Sequence, residues 1–276
     1  MVLSRCRQNT VRRRAHSVAI IVVVTSIAML NSTALAGEEP PLRLGVPAYG
    51  YPGESDLWAE LAQLPAGSVV VLDPANGPGE LSDTTYEQSV AAVRAAGVHI
   101  YGYVDTDYGR RSTVDMLEDV RRHVVWYSVE GVFLDQTPAA FEPAIAAVIR
   151  AAQSEGLQVS INPGQPIVDR QWVVLADHVV TFEGDAALYK RTQMPRWLWD
   201  FPADKFWHLV YALADMGQLQ AVLRQASAQH AEMIYVTDGT LPNPWQRLPR
   251  YWPEELATIS AHTAGTSLGS DAPPQR

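Results

Sequence analysis

The sequence predicts a (β/α)8 barrel built as a single domain. Three observations carry this. Eight short apolar runs recur from residue 42 onward, helix-like segments separate them, and no break in composition divides residues 42–264. Strands that alternate with helices make a parallel sheet, and eight such units in about 230 residues match the size of a closed barrel. A doubly wound open sheet is the alternative architecture. It usually has fewer strands, and its Gly-rich dinucleotide fingerprint is absent here.

The predicted strands are Leu42–Tyr49, Ser68–Leu72, Val98–Val104, Gly131–Leu134, Leu157–Ile161, His178–Phe182, Phe206–Leu213 and Met233–Thr237. Each is a short apolar run bounded by turn residues, as a strand covered on both faces requires. The helix-like segments include Thr85–Ala96, Val114–Tyr127, Ala139–Glu155, Ala186–Arg191 and Gly217–Gln229. Thr137 reads as the N-cap of the third, with Pro138 at its first position, and Asp185 as the cap of the fourth. Trp58, Trp126 and Trp172 fall on helical segments and are expected in the core.

The N-terminus reads as an export signal. Arg5, Arg7, Arg12, Arg13 and Arg14 make a basic start, Val18–Leu30 is an apolar run too short for a typical span, and Ala34-Leu35-Ala36 is a small-x-small cleavage site. The expected division is a signal peptide over residues 1–36, a barrel over 37–264 and a disordered tail over 265–276. The protein is then secreted, without stable membrane association. The one cysteine, Cys6, lies inside the signal, so the mature chain has no thiol chemistry and no disulfide.

Removing the signal removes five Arg and no acid, which leaves 16 basic and 30 acidic residues. A net charge of that sign argues against nucleic acid and anionic lipid as partners. The histidines are scattered without the i, i+4 spacing of a zinc enzyme, and no G-x-S-x-G elbow occurs. No metal and no cofactor is expected, and the protein is expected to be a monomer.

Barrel enzymes build their sites at the C-terminal ends of the strands. Those ends carry, in order, Tyr49 and Tyr51, Asp73 and Asn76, Tyr103 and Asp105, Asp135, Asn162, Glu183, His208 and Tyr211, and Asp238. Asp135 ends the run GVFLD, where an unpaired charge would be costly unless it opens onto a polar cleft. Glu183 stands likewise in VVTFEGD. With capping assigned to Thr137 and Asp185, both carboxylates are free for chemistry. Paired carboxylates suit glycoside hydrolysis, in which one attacks or stabilises the anomeric carbon and the other protonates the leaving oxygen. Trp197, Trp199 and Trp207, with Tyr108 and the strand-end tyrosines, are candidate sugar platforms.

The motifs VPAYGYPG, DPANGPG, GYVDTDYGRR, GVFLDQ, SINPG and VVTFEGD occur in this order between Leu44 and Asp238. Together they resemble the spherulin-4, or spherulation-specific family 4, proteins, which are related to hydrolases of galactosaminogalactan-type polymers. The resemblance implies a (β/α)8 barrel, export, and cleavage of α-1,4-linked N-acetylgalactosamine or galactosamine polysaccharide. It implies Asp135 as nucleophile and Glu183 as general acid/base. The family's usual Asp-Glu pair after the fourth strand is here Asp135-Gln136, and Asp73 stands where Asn is more usual. Strand alternation would turn Gln136 away from Asp135, leaving it a supporting role. An alternative function is a non-catalytic glycan-binding or cell-surface protein on the same barrel, since fold does not fix function.

Overall fold

The computed structural model describes residues 42–165 and 169–267, so the expected export segment lies outside the described residues. Eight parallel strands close in chain order into a barrel. They are β1 (Arg43–Ala48), β2 (Val69–Leu72), β3 (His99–Asp105), β4 (Gly131–Asp135), β5 (Gln158–Ile161), β6 (His178–Asp185), β7 (Phe206–Tyr211) and β8 (Met233–Val236). Every predicted run overlaps one of them. The differences lie at the ends: β3, β4 and β6 run on through Asp105, Asp135 and Asp185.

The helices are α1 (Leu57–Leu61), α2 (Thr84–Ala95), α3 (Thr113–Tyr127), α4 (Pro143–Ser154), α5 (Arg170–Leu175), α6 (Ala186–Tyr189), α7 (Leu219–Ala228) and α8 (Trp252–Ser267). The last runs into the stretch read as a tail from residue 265. Asp185 caps α6 as expected, accepting from the Leu188 N–H. The expected cap at Thr137 is wrong. α4 begins at Pro143, with Glu142 accepting from the Ala144 N–H, and the Thr137 hydroxyl instead donates to the Leu134 carbonyl at 2.9 Å. The chain first crosses the rim, where the Thr137 N–H bonds the Asn162 carbonyl, and only then turns into the helix.

Period-2 alternation sorts the side chains. On β3, Tyr101, Tyr103 and Asp105 share the inner face. Gly102 faces α3, where a Cβ would sit 2.3 Å from the buried His123 ring. Deep in the barrel Trp207 packs edge-on to Phe133, 5.3 Å between ring centres. It fits because Gly45 lies opposite, where a Cβ would stand 2.4 Å from the indole. Trp207 is therefore core and not a sugar platform. Trp58 and Trp172 are buried and Trp126 packs against the core, as expected.

Candidate active site

The pairing register sets β3 beside β4 with Asp105 opposite Asp135, which brings the ends of these strands to one rim. Asp135 is the hub. The Tyr103 hydroxyl donates to its Oδ2 at 2.8 Å, and the Asn162 amide donates to its Oδ1 at 2.8 Å. The same Asn162 nitrogen donates to Glu183 Oε2 at 2.6 Å. Its carbonyl oxygen accepts from the Gly164 N–H at 3.0 Å, so the amide is held with its NH2 toward the carboxylates. One amide thus bridges Asp135 and Glu183. The bridged oxygens can lie no further apart than two hydrogen bonds end to end, which is roughly 5 Å.

Both carboxyls are pushed above their ordinary range. Burial raises Asp135 to about 7, with the Glu183 charge adding to it, while Tyr103, the Gln136 N–H and Asn162 pull the other way. Burial also raises Glu183, against hydrogen bonds from Asn162 and Trp245. At Asp135 burial dominates. Its donors are present, but burial outweighs them. The Glu183 charge raises Asp135, so the two carboxyls are coupled.

Tyr49 meets Tyr103 edge-on at 5.6 Å. Burial, and then the charge of Asp135, holds its phenol far above the usual range, so it remains a donor. Asp73 accepts from the Gly77 N–H at 2.8 Å, and burial raises it to about 6. Asn76 donates to Asp105 at 3.1 Å. Tyr211 stands at the end of β7, edge-on to Trp245 at 6.1 Å, with its phenol raised first by burial and then by Asp185 and Glu183. These residues line the mouth around the pair.

Other predicted residues lie elsewhere. Tyr51 is drawn over the start of α2, where its hydroxyl reaches Asp83 and Thr85, each at 3.2 Å. His208 is fully buried on the outer face of β7, its Nδ1 2.7 Å from the Tyr189 hydroxyl of α6, so it cannot reach a substrate in the mouth. Alternation explains this, because Trp207, Leu209 and Tyr211 take the inner positions of β7. Asp238 is closed off by Arg247 at 2.7 Å and Arg250 at 2.6 Å, which makes it a tether for the loop after β8. Trp199 stacks on His230, which precedes β8, and so belongs to the opposite rim; Trp197 packs on Phe201.

Gln136 departs from expectation in another way. β4 ends at Asp135, and Gln136 has φ +52°, so strand alternation does not set its direction. Its carbonyl accepts from the Tyr108 N–H at 2.9 Å and the Thr106 hydroxyl at 2.8 Å. Asn76, Asp107, Tyr108 and Ala212 also have positive φ on loops that follow strands. Among the described residues no group of three or more His, Cys, Asp or Glu is placed to hold a metal.

Sequence reasoning missed Trp245. It is nearly buried, supports Glu183, and packs against Tyr211 and Tyr235. The available signal was the segment LPNPW after β8, a turn-rich loop carrying an aromatic on the side where barrels build their sites.

The comparisons agree with this architecture. The Aspergillus clavatus protein Sph3, solved in complex with GalNAc, superposes with a TM-score of 0.67 at 23% identity, over 80% of this chain and 98% of that one. The catalytic domain of a Pyrococcus furiosus chitinase superposes with a TM-score of 0.53 at 10% identity, over 82% of this chain and 98% of that one. Both are likenesses of fold. Spherulin-4 of Physarum polycephalum is 26% identical over 259 residues, which is 88% of this chain and 76% of the relative. The model of the spherulation-specific family 4 matches residues 43–259, from the first strand into the last helix, and the chain belongs to that family.

Proposed function

We propose that this protein is a secreted glycoside hydrolase that cleaves α-1,4-linked N-acetylgalactosamine or galactosamine polysaccharide with retention of configuration. The observation that carries the reading is the Asn162 bridge between Asp135 and Glu183 at the barrel mouth. Two buried carboxyls held close by one amide can protonate a leaving oxygen and attack or stabilise the anomeric carbon, as in retaining glycosidases. Tyr103, Asn162 and the Gln136 N–H converge on Asp135, against Asn162 and Trp245 on Glu183. Asp135 accepts from more donors than Glu183, and it is assigned the role of nucleophile or oxocarbenium stabiliser. Glu183 takes the proton to the leaving oxygen. The family membership and the GalNAc bound by Sph3 support an amino-sugar substrate.

Incubation with a panel of α- and β-linked amino-sugar polymers, read by product mass spectrometry and by NMR of the first-formed anomer, tests this. Cleavage of α-linked polymer with retained configuration is the expected result. Inversion would refute the double-displacement geometry, and absence of cleavage across the panel would refute the enzyme. Gln136, in place of the family's usual Glu, favours a second reading as a glycan-binding protein, for which a glycan array would show binding without turnover.

A further inference from the structure

We propose that a cavity beside the barrel mouth, between the loops after β1, β2 and β8, is a second sugar subsite. It holds a neighbouring residue of the polysaccharide while Asp135 and Glu183 act on the first. The proposal rests on the glycosidase reading above and adds the place where the sugar chain continues. The cavity has a volume of about 400 Å³. A sugar residue has about a dozen to fifteen heavy atoms, each filling no more than a water's share of roughly 30 Å³, so one residue fits and two do not.

The position of the cavity follows from Tyr49. This side chain lines it and also meets Tyr103 edge-on, 5.6 Å between ring centres. Tyr103 in turn donates to Asp135, and the charges of Asp135 and Glu183 both reach the Tyr49 phenol. Pro74, on the β2 side of the cavity, follows Asp73, whose charge reaches the same phenol. Gln246, on the β8 side, follows Trp245. The Trp245 carbonyl accepts from the Tyr49 N–H at 3.2 Å, and its side chain supports Glu183. The cavity and the reacting pair thus stand at the same end of the barrel, with Tyr49 as the wall they share.

The lining suits a sugar ring. One face of a pyranose is a patch of C–H groups, and its rim is a set of hydroxyls. Tyr51 offers an aromatic surface that is 38% exposed and fixed in place. Its hydroxyl reaches Asp83 and Thr85, and its ring meets Tyr86, also in the lining, edge-on at 5.4 Å. An edge-on contact covers at most one face of a ring, which leaves the other for the C–H patch. Glu54, Ser55 and Gln246 supply donors and acceptors for the hydroxyls. The floor is rigid. The Trp58 indole donates to the Gly50 carbonyl at 3.0 Å, and a Cβ on Gly50 would stand 2.4 Å from the Gln246 carbonyl oxygen, so the loops after β1 and β8 pack directly on each other. A preformed site loses less on binding than one that must first order. Among the described residues that line the cavity the one charged side chain is Glu54, which disfavours an anionic uronic acid and accepts a neutral or cationic amino sugar.

The test uses α-1,4-linked N-acetylgalactosamine oligosaccharides of increasing length. kcat/KM should rise about tenfold at the one added residue that reaches the cavity, the size of an aromatic contact with its hydrogen bonds. Ser55→Trp fills the cavity from one wall and Gln246→Trp from the other, and both positions are exposed. Each should lower kcat/KM on the longest members about tenfold more than on the shortest member that is cleaved. Tyr51→Ala should do the same, and Tyr51→Phe, which keeps the ring, should have a smaller effect. Thermal melts confirm folding, and the variants come from separate loops, so a folding failure in one leaves the other to decide. The absence of a step with length, or an equal change at every length in the folded variants, would overturn the proposal. If the wild type cleaves none of the series, the glycosidase reading fails separately, and calorimetric binding of the longest oligosaccharide decides the subsite. Binding that the Trp variants weaken about tenfold supports it. Binding that they leave unchanged, or no binding at all, overturns it.

Discussion

Asp135 and Asp238 look alike in the sequence. Each follows a buried strand, and each was a candidate for the barrel mouth. The structure gives them opposite environments. Among the described residues no cation pairs with Asp135. Its partners are neutral donors and a second carboxylate, and burial lifts it to about 7. Asp238 is also buried, which alone would raise it, but hydrogen bonds and charge from Arg247 and Arg250 outweigh the burial and hold it below the usual range. One carboxylate is held near neutrality at a cost to stability, and the other is paired to fasten a loop. A strand-end acid becomes chemical only when the surrounding loops withhold a counter-ion.

The largest expected effect that tests this contrast is on turnover. Asp135→Asn and Glu183→Gln are nearly isosteric and should each reduce polymer cleavage by about 10²–10⁴-fold. Asp238→Asn should leave turnover per folded molecule within about tenfold of wild type, as expected of a residue outside the reacting pair. Steady-state kinetics on the cleaved polymer would decide, and an Asp238→Asn loss as large as that of Asp135→Asn would break the comparison.

Stability should move in opposite directions. A carboxyl whose folded pKa is raised holds its proton better when folded. Asp135 therefore costs stability increasingly as pH climbs from its ordinary 3.8 through about 7. Asp135→Asn should gain on the order of 1–2 kcal/mol over wild type at pH 8, discounted for the open mouth, and nothing near pH 4. Asp238, with a lowered pKa, contributes stability that is present above the ordinary carboxylate range and lost as pH falls through its lowered value. Asp238→Asn should lose about 1–2 kcal/mol at pH 7 and converge on wild type in acid. Denaturant melts at pH 4 and pH 8 would read both signs, and parallel curves for the two variants would refute the contrast.

The smallest effects concern the supports of Asp135. Tyr103→Phe removes one donor, so the Asp135 limb of the pH–rate profile should move upward, with turnover falling about tenfold. Gln136→Glu brings another negative charge near an already crowded pair. It should shift the same limb upward by less than about one unit and change the peak rate only a few-fold. A large gain in rate would show instead that the family's second carboxylate has a direct part in the reaction.

How much of this was legible depends on the kind of interaction. Strand and helix periodicity is local, and the eight apolar runs from Leu42 to Thr237 each overlap a strand. The motif at Asp135 and the strand-end position of Glu183 were legible because side chains near the C-terminal ends of parallel strands meet at one rim. Tyr103 and Asn162 could be named as supports from their places on neighbouring strands, and their hydrogen bonds to Asp135 follow from the register. His208 was misplaced because a predicted run does not say which alternate residues face inward. Here the bulk of Trp207 and the gap at Gly45 are what fill the interior. The helix cap at Thr137 failed because a tertiary hydrogen bond to the Asn162 carbonyl holds that segment on the rim.

The sequence by itself determined the barrel, the order of its elements and the acids near its rim, since these rest on short-range pattern and on the chain's own periodicity. Only the tertiary structure decided which acids are paired with arginine, which are bridged by one amide, and that Trp245 folds back onto Glu183. Charge state and cavity shape depend on groups tens to hundreds of residues apart being brought within a few ångströms, and no local pattern in the chain encodes those distances.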